Sequence, residues 1–238
     1  MSLDWAATSV TGKVRPSNED SYASLPDRGV WAVADGMGGG VSGGLASTLV
    51  CDAIQVAEFP DEFDEKITVI RDVLTRTNER ILFLRPGNDN RLCIGTTIAV
   101  LVIQDHLGAV IWAGDSRIHR VVDGNLTQMT QDHSLVAEFV RQGQIKEWET
   151  RDHPDAHIIS RGVGLSPDLE LDMLTFEVGS GDRFLLSTDG VSNEIESDQL
   201  AMTLASAASA EDCNDRLMAQ VMAGPAQDNS TAISVFIG

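Results

Sequence analysis

Three apolar segments crowd into residues 96–122: TTIAVLVI (96–103), LGAVIWA (107–113) and RIHRVV (117–122), parted only by QDH and GDS. A parallel crossover needs a dozen or more residues, whereas antiparallel neighbours join through two or three, so the spacing predicts hairpins and an antiparallel meander.

The remaining segments fit around that sheet. Residues 3–10, 20–25 and 30–34 read as short strands separated by turn residues. From Gly43 to Glu58 the period changes, and Leu45, Leu49, Ala53 and Val56 form a helical stripe. A second helix is predicted over 61–84, with Phe63, Ile67, Ile70, Leu74 and Ile81 on one face. Acidic residues crowd its first turn while Arg71, Arg76, Arg80 and Arg85 follow, the order a helix dipole favours. Two such helices in succession imply a packed antiparallel pair. Residues 134–142 read as a short helix, and 143–168 as a polar, turn-rich connection of the length that often serves as a lid. Strands are expected again over 169–178, 183–188 and 230–237, with an alanine-rich helix pair over 198–222. Strand groups alternating with helix pairs indicate an α+β fold, helices layered on antiparallel sheet.

The 238 residues are 42% hydrophobic, enough for a sizeable core, and no Pro/Ser-rich linker divides them, so one domain over 1–238 is expected. Seventeen Lys and Arg against 36 Asp and Glu leave a net charge of −19. Such a surface repels phosphate backbones and anionic lipid, which argues against nucleic acid or a membrane as partner. No apolar run is long enough for a membrane span, and no signal peptide is visible at the N-terminus. Cys51, Cys93 and Cys213 are widely spaced among apolar neighbours, as expected of reduced core thiols in a cytoplasmic protein.

Aspartates recur where apolar strands end: AVADG (Asp35), IWAGDSR (Asp115), FLLSTDG (Asp189) and, just before the last strand, QDNST (Asp228). Glu19 and Asp20 stand at the start of another strand. Each alone reads better as a turn residue than as a ligand. Strand ends of one sheet meet in space, however, and convergent carboxylates repel unless a cation lies among them. All-oxygen ligands suit Mg²⁺ or Mn²⁺ rather than zinc. Gly36 beside Asp35 would let a backbone carbonyl reach such an ion.

Other motifs fare worse. Gly38, Gly40 and Gly43 match GxGxxG, but a second helix follows instead of a parallel strand with an acidic ribose ligand, so a dinucleotide-binding oxidoreductase is not indicated. His153 and His157 lack the HExxH glutamate and read as a solvated loop. No cysteine has an arginine six residues on, which leaves a cysteine-dependent phosphatase loop unsupported. No GxSxG nucleophile elbow occurs.

Taken in order, GKVRPSNED (12–20), VADGMGGG (33–40), GTT (95–97), GDSR (114–117), LTQMTQDHS (126–134), ISRGVG (159–164), LLSTDGVSN (185–193) and QDNST (227–231) resemble the metal-dependent serine/threonine protein phosphatases of type 2C, in their bacterial form. The resemblance runs from residue 12 to the end. It implies a four-layer α-β-β-α sandwich, two antiparallel sheets flanked by helix pairs, with a flap around 143–166. Carried over residue by residue, Asp35 would bridge two metals, the Gly36 carbonyl and Glu19 (through water) would serve the second, and Asp189 and Asp228 would hold the first. Asp20 would support the waters on the metals, Arg15 would bind the substrate phosphate, and Asp115 with Asp189 would be able to hold a weak third ion. The implied reaction is hydrolysis of phosphoserine or phosphothreonine by a water bridging two Mn²⁺ or Mg²⁺ ions, with no phosphoenzyme.

Two departures from that pattern matter. Met37 and Gly40 stand where some members carry a histidine able to protonate the leaving alcohol, so water in the metal site is the expected acid. Asn193 replaces an aspartate of the third metal site, which predicts weak or absent third-ion binding. The alternative function is a catalytically weak or regulatory phosphoprotein-binding module of the same fold. Such a module would be expected to lose a metal aspartate or the arginine, yet Asp35, Asp189, Asp228 and Arg15 are all present. The expected partners are a phosphoprotein substrate and a counteracting serine/threonine kinase.

Overall fold

The computed structural model describes residues 2–38, 41–84, 94–150 and 153–238. Gly40, Arg85 and Cys93, which figure in the readings above, lie outside the described residues. One sheet runs β1 (Leu3–Val10), β11 (Ser230–Ile237), β10 (Arg183–Ser187), β7 (Arg117–Val122), β8 (Asn125–Gln128). The other runs β2 (Asp20–Leu25), β3 (Val30–Met37), β5 (Ile98–Gln104), β6 (Leu107–Ala113), β9 (Asp172–Glu177), with the short β4 (Gly95–Thr96) beside the end of β3. Every strand pairing is antiparallel.

The layering follows from the two-residue period of a strand. Along β5, Ile98, Val100 and Val102 face the helices α1 (Val41–Gln55) and α2 (Phe63–Leu84), while Ala99, Leu101 and Ile103 face the other sheet. The same alternation on β3 turns Ala32 outward, and Trp31 and Val33 inward. On the opposite side Leu185, Ala232 and Phe236 meet α5 (Ser197–Ser206) and α6 (Ala210–Ala223), while Phe184, Leu186, Ile233 and Val235 fill the middle. Three apolar cores thus separate four layers, in the order helix, sheet, sheet, helix. Because these strands are covered on both faces, they read as continuous apolar runs. Each large side chain so buried contributes roughly 1.5–3 kcal/mol.

The predicted three-strand meander is corrected. The β5–β6 hairpin forms as expected, turning through Asp105 and His106. But β6 takes β9 as its second neighbour, from Leu107↔Glu177 to Trp112↔Asp172. With that edge occupied, Gly114-Asp115-Ser116 carries the chain into the other sheet, where β7 pairs with β10 and β8. Strand β3 also outruns its predicted end at Ala34. It continues through Asp35 to Met37, because Asp35 pairs with Asp20 on one side while Gly36 and Met37 pair with Thr96 and Gly95 on the other.

One of two further short helices was expected, the other was not. The 134–142 segment forms α3 (Leu135–Arg141), with Ser134 accepting the N–H of Ala137 as its cap. A one-turn helix, α4 (Asp189–Ser192), was not anticipated. Among its described residues the 143–166 connection contains a short 3-10 turn at Glu147–Glu149 before its distal part is tied down. There Val163 exchanges backbone hydrogen bonds with Thr96, and Gly164 N–H donates to Asn78 Oδ1 at 2.6 Å.

Candidate active site

The predicted site residues occupy one end of the sandwich. Arg15 and Glu19 lie between β1 and β2, Asp20 opens β2, and Asp35 and Gly36 lie in β3. Asp115 sits on the crossing between sheets, Asp189 begins α4 directly after β10, and Asp228 precedes β11. Cross-strand pairing sets Asp20 opposite Asp35, so two carboxylates share a rung. Asp35 and Asp189 are close enough to hydrogen-bond when one carries a proton.

Charge crowding shows the convergence independently. Burial, then the charges of Asp189, Asp20, Asp115 and Asp228, hold the Asp35 carboxyl well above the usual range. Asp115 is likewise raised by burial and then by Asp189 and Asp132. Burial raises Asp20 to about 7, with Asp189 and Asp228 adding to the effect. For Asp189 burial leads again, followed by Asp228.

The donor set fits a hard cation. It is all oxygen, and buried Asp20 Oδ1 and Asp189 Oδ1 have no hydrogen-bond donor. Among the described residues, however, no three His, Cys, Asp or Glu side chains are gathered as a ready ligand cage. Arg15 pairs with Asp228, Nη2 to Oδ2 at 2.6 Å, a contact that raises the guanidinium's pKa, so these two predicted roles meet in one ion pair. Asn193 Nδ2 approaches Asp189 Oδ2 at 3.2 Å, placing an amide donor beside that aspartate.

Gly36 has a more direct cause than carbonyl reach. A Cβ there would collide with the Gly43 carbonyl, and a Cβ on Gly43 would collide with Glu19 Oε2. The glycines bring the start of α1 against β3 and leave room for the Glu19 carboxylate. Ser47 Oγ and Gly36 N–H both donate to the Glu19 carbonyl.

Several supporting residues escaped the sequence reading. Thr97 Oγ1 accepts Asp35 N–H at 2.9 Å and lies 2.7 Å from Ser116 Oγ, joining β3 to the Asp115 crossing. Arg117 behind that crossing is held by Asp132 through contacts of 2.7–3.2 Å. His133 Nδ1 accepts Gly114 N–H at 3.2 Å, which puts the ring proton on Nε2, facing Asp172 Oδ2 at 3.1 Å. The GTT and QDHS stretches were the available signal, since short hydroxyl and imidazole side chains beside turns are hydrogen-bonding tools. His157, read as a loop residue, is exposed but near enough for its charge to favour ionised Asp189. The two described cysteines, Cys51 and Cys213, are free and buried, each in a helix–sheet core.

Known proteins place this geometry. The family model for Protein phosphatase 2C matches residues 14–223. A "Putative protein phosphatase 2C-type" of Streptococcus pyogenes is 33% identical over 214 residues, covering 87% of this chain and 86% of that protein. Serine/threonine protein phosphatase PstP of Mycobacterium tuberculosis is 30% identical over 232 residues, 97% of this chain, which spans only 44% of PstP. The solved catalytic domain of PstP in complex with two manganese ions superposes with a TM-score of 0.83 at 28% identity, covering 99% of each chain. With both the motifs and the sandwich in agreement, the chain belongs to the protein phosphatase 2C family.

Proposed function

We propose that this chain is a Mn²⁺- or Mg²⁺-dependent phosphatase that hydrolyses phosphoserine and phosphothreonine in proteins, its 238 residues forming one catalytic domain. The observation that carries it is that Asp20, Asp35, Asp115, Asp189 and Asp228 lie at one end of the sandwich, near enough for the other four charges to act on Asp35, with Arg15 paired to Asp228. Asp35, Asp189 and Asp228, with Glu19 and the Gly36 carbonyl, are the residues that would hold two ions. When bound, the ions would supply Lewis acidity to a phosphoryl oxygen and a water acidified enough to attack phosphorus in line. Arg15 is half-exposed and has five N–H donors, so it can keep Asp228 on Nη2 and turn others to the phosphate. Asp20 presents Oδ1 to orient the attacking water. Asp115 would contribute at most a weak third ion, since Asn193 offers Asp189 an amide donor where another carboxylate would be needed.

Cys51 and Cys213, free and buried, support a cytoplasmic setting, and the substrates would be those of a serine/threonine kinase acting there. Among the described residues no helix is long and apolar enough to cross a membrane.

The test is hydrolysis of a phosphothreonine peptide with and without Mn²⁺. Turnover should vanish on chelation and fall roughly a thousandfold in Asp35→Asn and Asp189→Asn. Activity that persists in chelator would refute the mechanism. Binding of the peptide without turnover at saturating Mn²⁺ would point to the regulatory module instead.

A further inference from the structure

Behind Asp20 lies a ring of hydrogen bonds whose direction is settled by exclusion. Asp20 N–H can only donate, so Asn18 turns Oδ1 to it, at 3.1 Å, and its Nδ2 to Ser9 Oγ, at 2.8 Å. Thr231 Oγ1 stands 2.7 Å from Asp20 Oδ2, where a carboxylate oxygen can only accept, so the Thr231 proton is committed there. Ser9 Oγ, 2.7 Å from Thr231 Oγ1, must therefore be the donor in that pair. The order is Asn18 to Ser9 to Thr231 to Asp20 Oδ2, closing on the backbone of Asp20 itself. Thr188 adds a second fixed donor: its Oγ1 accepts Thr231 N–H at 2.9 Å and donates to Asp20 Oδ2 at 2.8 Å.

Thr188 and Thr231 are fully buried, so these hydroxyls have no water to exchange with. Asp20 Oδ2 is saturated by two donors while Oδ1, also buried, has none. We propose that Thr231 and Ser9 are positioning residues that lock the Asp20 carboxylate by Oδ2, leaving Oδ1 the single oxygen able to orient the attacking water. This rests on the phosphatase reading above. Ser9, Asn18 and Asp20 also line an open groove of about 320 Å³ alongside β2, so the outer end of the ring lies at the surface.

Thr231→Val keeps the shape and removes the donor; Thr231→Ser keeps the donor. Steady-state kinetics on the phosphothreonine peptide should show kcat down about a hundredfold in Thr231→Val with KM within about twofold, the signature of a misplaced group rather than lost binding. Mn²⁺ affinity, measured by electron paramagnetic resonance of the free ion, should stay within about threefold, and Thr231→Ser should recover kcat to within about threefold of wild type. Ser9→Ala, which removes the donor to Thr231 together with the acceptor of Asn18 Nδ2, should lower kcat about threefold and serves if Thr231→Val fails to fold. The proposal is overturned if Thr231→Val keeps wild-type kcat, if its Mn²⁺ affinity falls in step with activity, if serine gives no rescue, or, where Thr231→Val does not fold, if Ser9→Ala leaves kcat unchanged. Wild-type protein without Mn²⁺-dependent turnover would sink the phosphatase reading and this proposal together, whereas unchanged turnover in the variants sinks the proposal alone.

Discussion

Two short turns flank β6, and they behave oppositely. Asp105 and His106 return the chain within one sheet: both are exposed, Gln104 pairs with Leu107, and Asp105 takes φ 52°. Gly114, Asp115 and Ser116 send it into the other sheet, and here distant residues hold almost every group. Gly114 takes φ 119° and exchanges two hydrogen bonds with His133, Ser116 meets Thr97, and Arg117 is gripped by Asp132. The first turn obeys a rule local to two adjacent strands. The second is a tertiary junction, and that is where a carboxylate of the candidate site is found.

The largest break in that contrast is expected from Gly114→Ala. Its φ is hostile to a Cβ, which would also stand 2.6 Å from Thr97 Cβ and Cγ2. Stability should fall by about 3 kcal/mol, a drop of about 10 °C in melting temperature for a chain of this size, read by calorimetry. His133→Phe should cost less, about 2 kcal/mol in urea unfolding, because the ring can still stack on Trp112 but the buried Gly114 N–H loses its acceptor. His133→Asn, with an acceptor near the Nδ1 position, should recover part of that loss.

Asp115 sharpens the comparison through pH. Its carboxyl, like those of Asp20 and Asp35, is raised in the folded protein, so it favours folding below the unfolded pKa near 3.8 and loses that contribution as pH rises. Metal-free protein should lose stability from about pH 4 upward, through about 7 for Asp20, and Asp115→Asn should flatten the slope. Added Mn²⁺ should raise the melting temperature more at pH 7.5 than at pH 5; an equal shift at both would contradict the crowding. The smallest effect belongs to the hairpin: Asp105→Gly should stabilise by about 0.5 kcal/mol, since glycine takes a positive φ without strain.

Much of the fold was legible because the strands are buried on both faces. Residues 3–10, 20–25 and 230–237 form strands over the predicted spans, as do the helix pairs within a few residues. Strand β8 was missed although Asp123 and Gly124, at φ 50° and 79°, spell a hairpin turn, because NLTQ is largely exposed and has no apolar alternation. In the site, the aspartates were legible as strand-end carboxylates. Their supports were only half legible: Thr97, Thr188 and Thr231 fall inside the motifs GTT, LLSTDGVSN and QDNST, but no motif says which partner far along the chain comes within hydrogen-bond reach.

By itself, then, the order of apolar runs and punctuating aspartates determined that antiparallel sheets would form and which carboxylates would end near strand termini, because period and turn length are local properties of a chain. Only the tertiary structure decided that β9 takes the edge of β6, that the GDS turn crosses between sheets, and that Arg15 closes on Asp228. Those outcomes depend on which of several competing partners reaches a strand edge or a charge first in space, and no stretch of neighbouring residues encodes that competition.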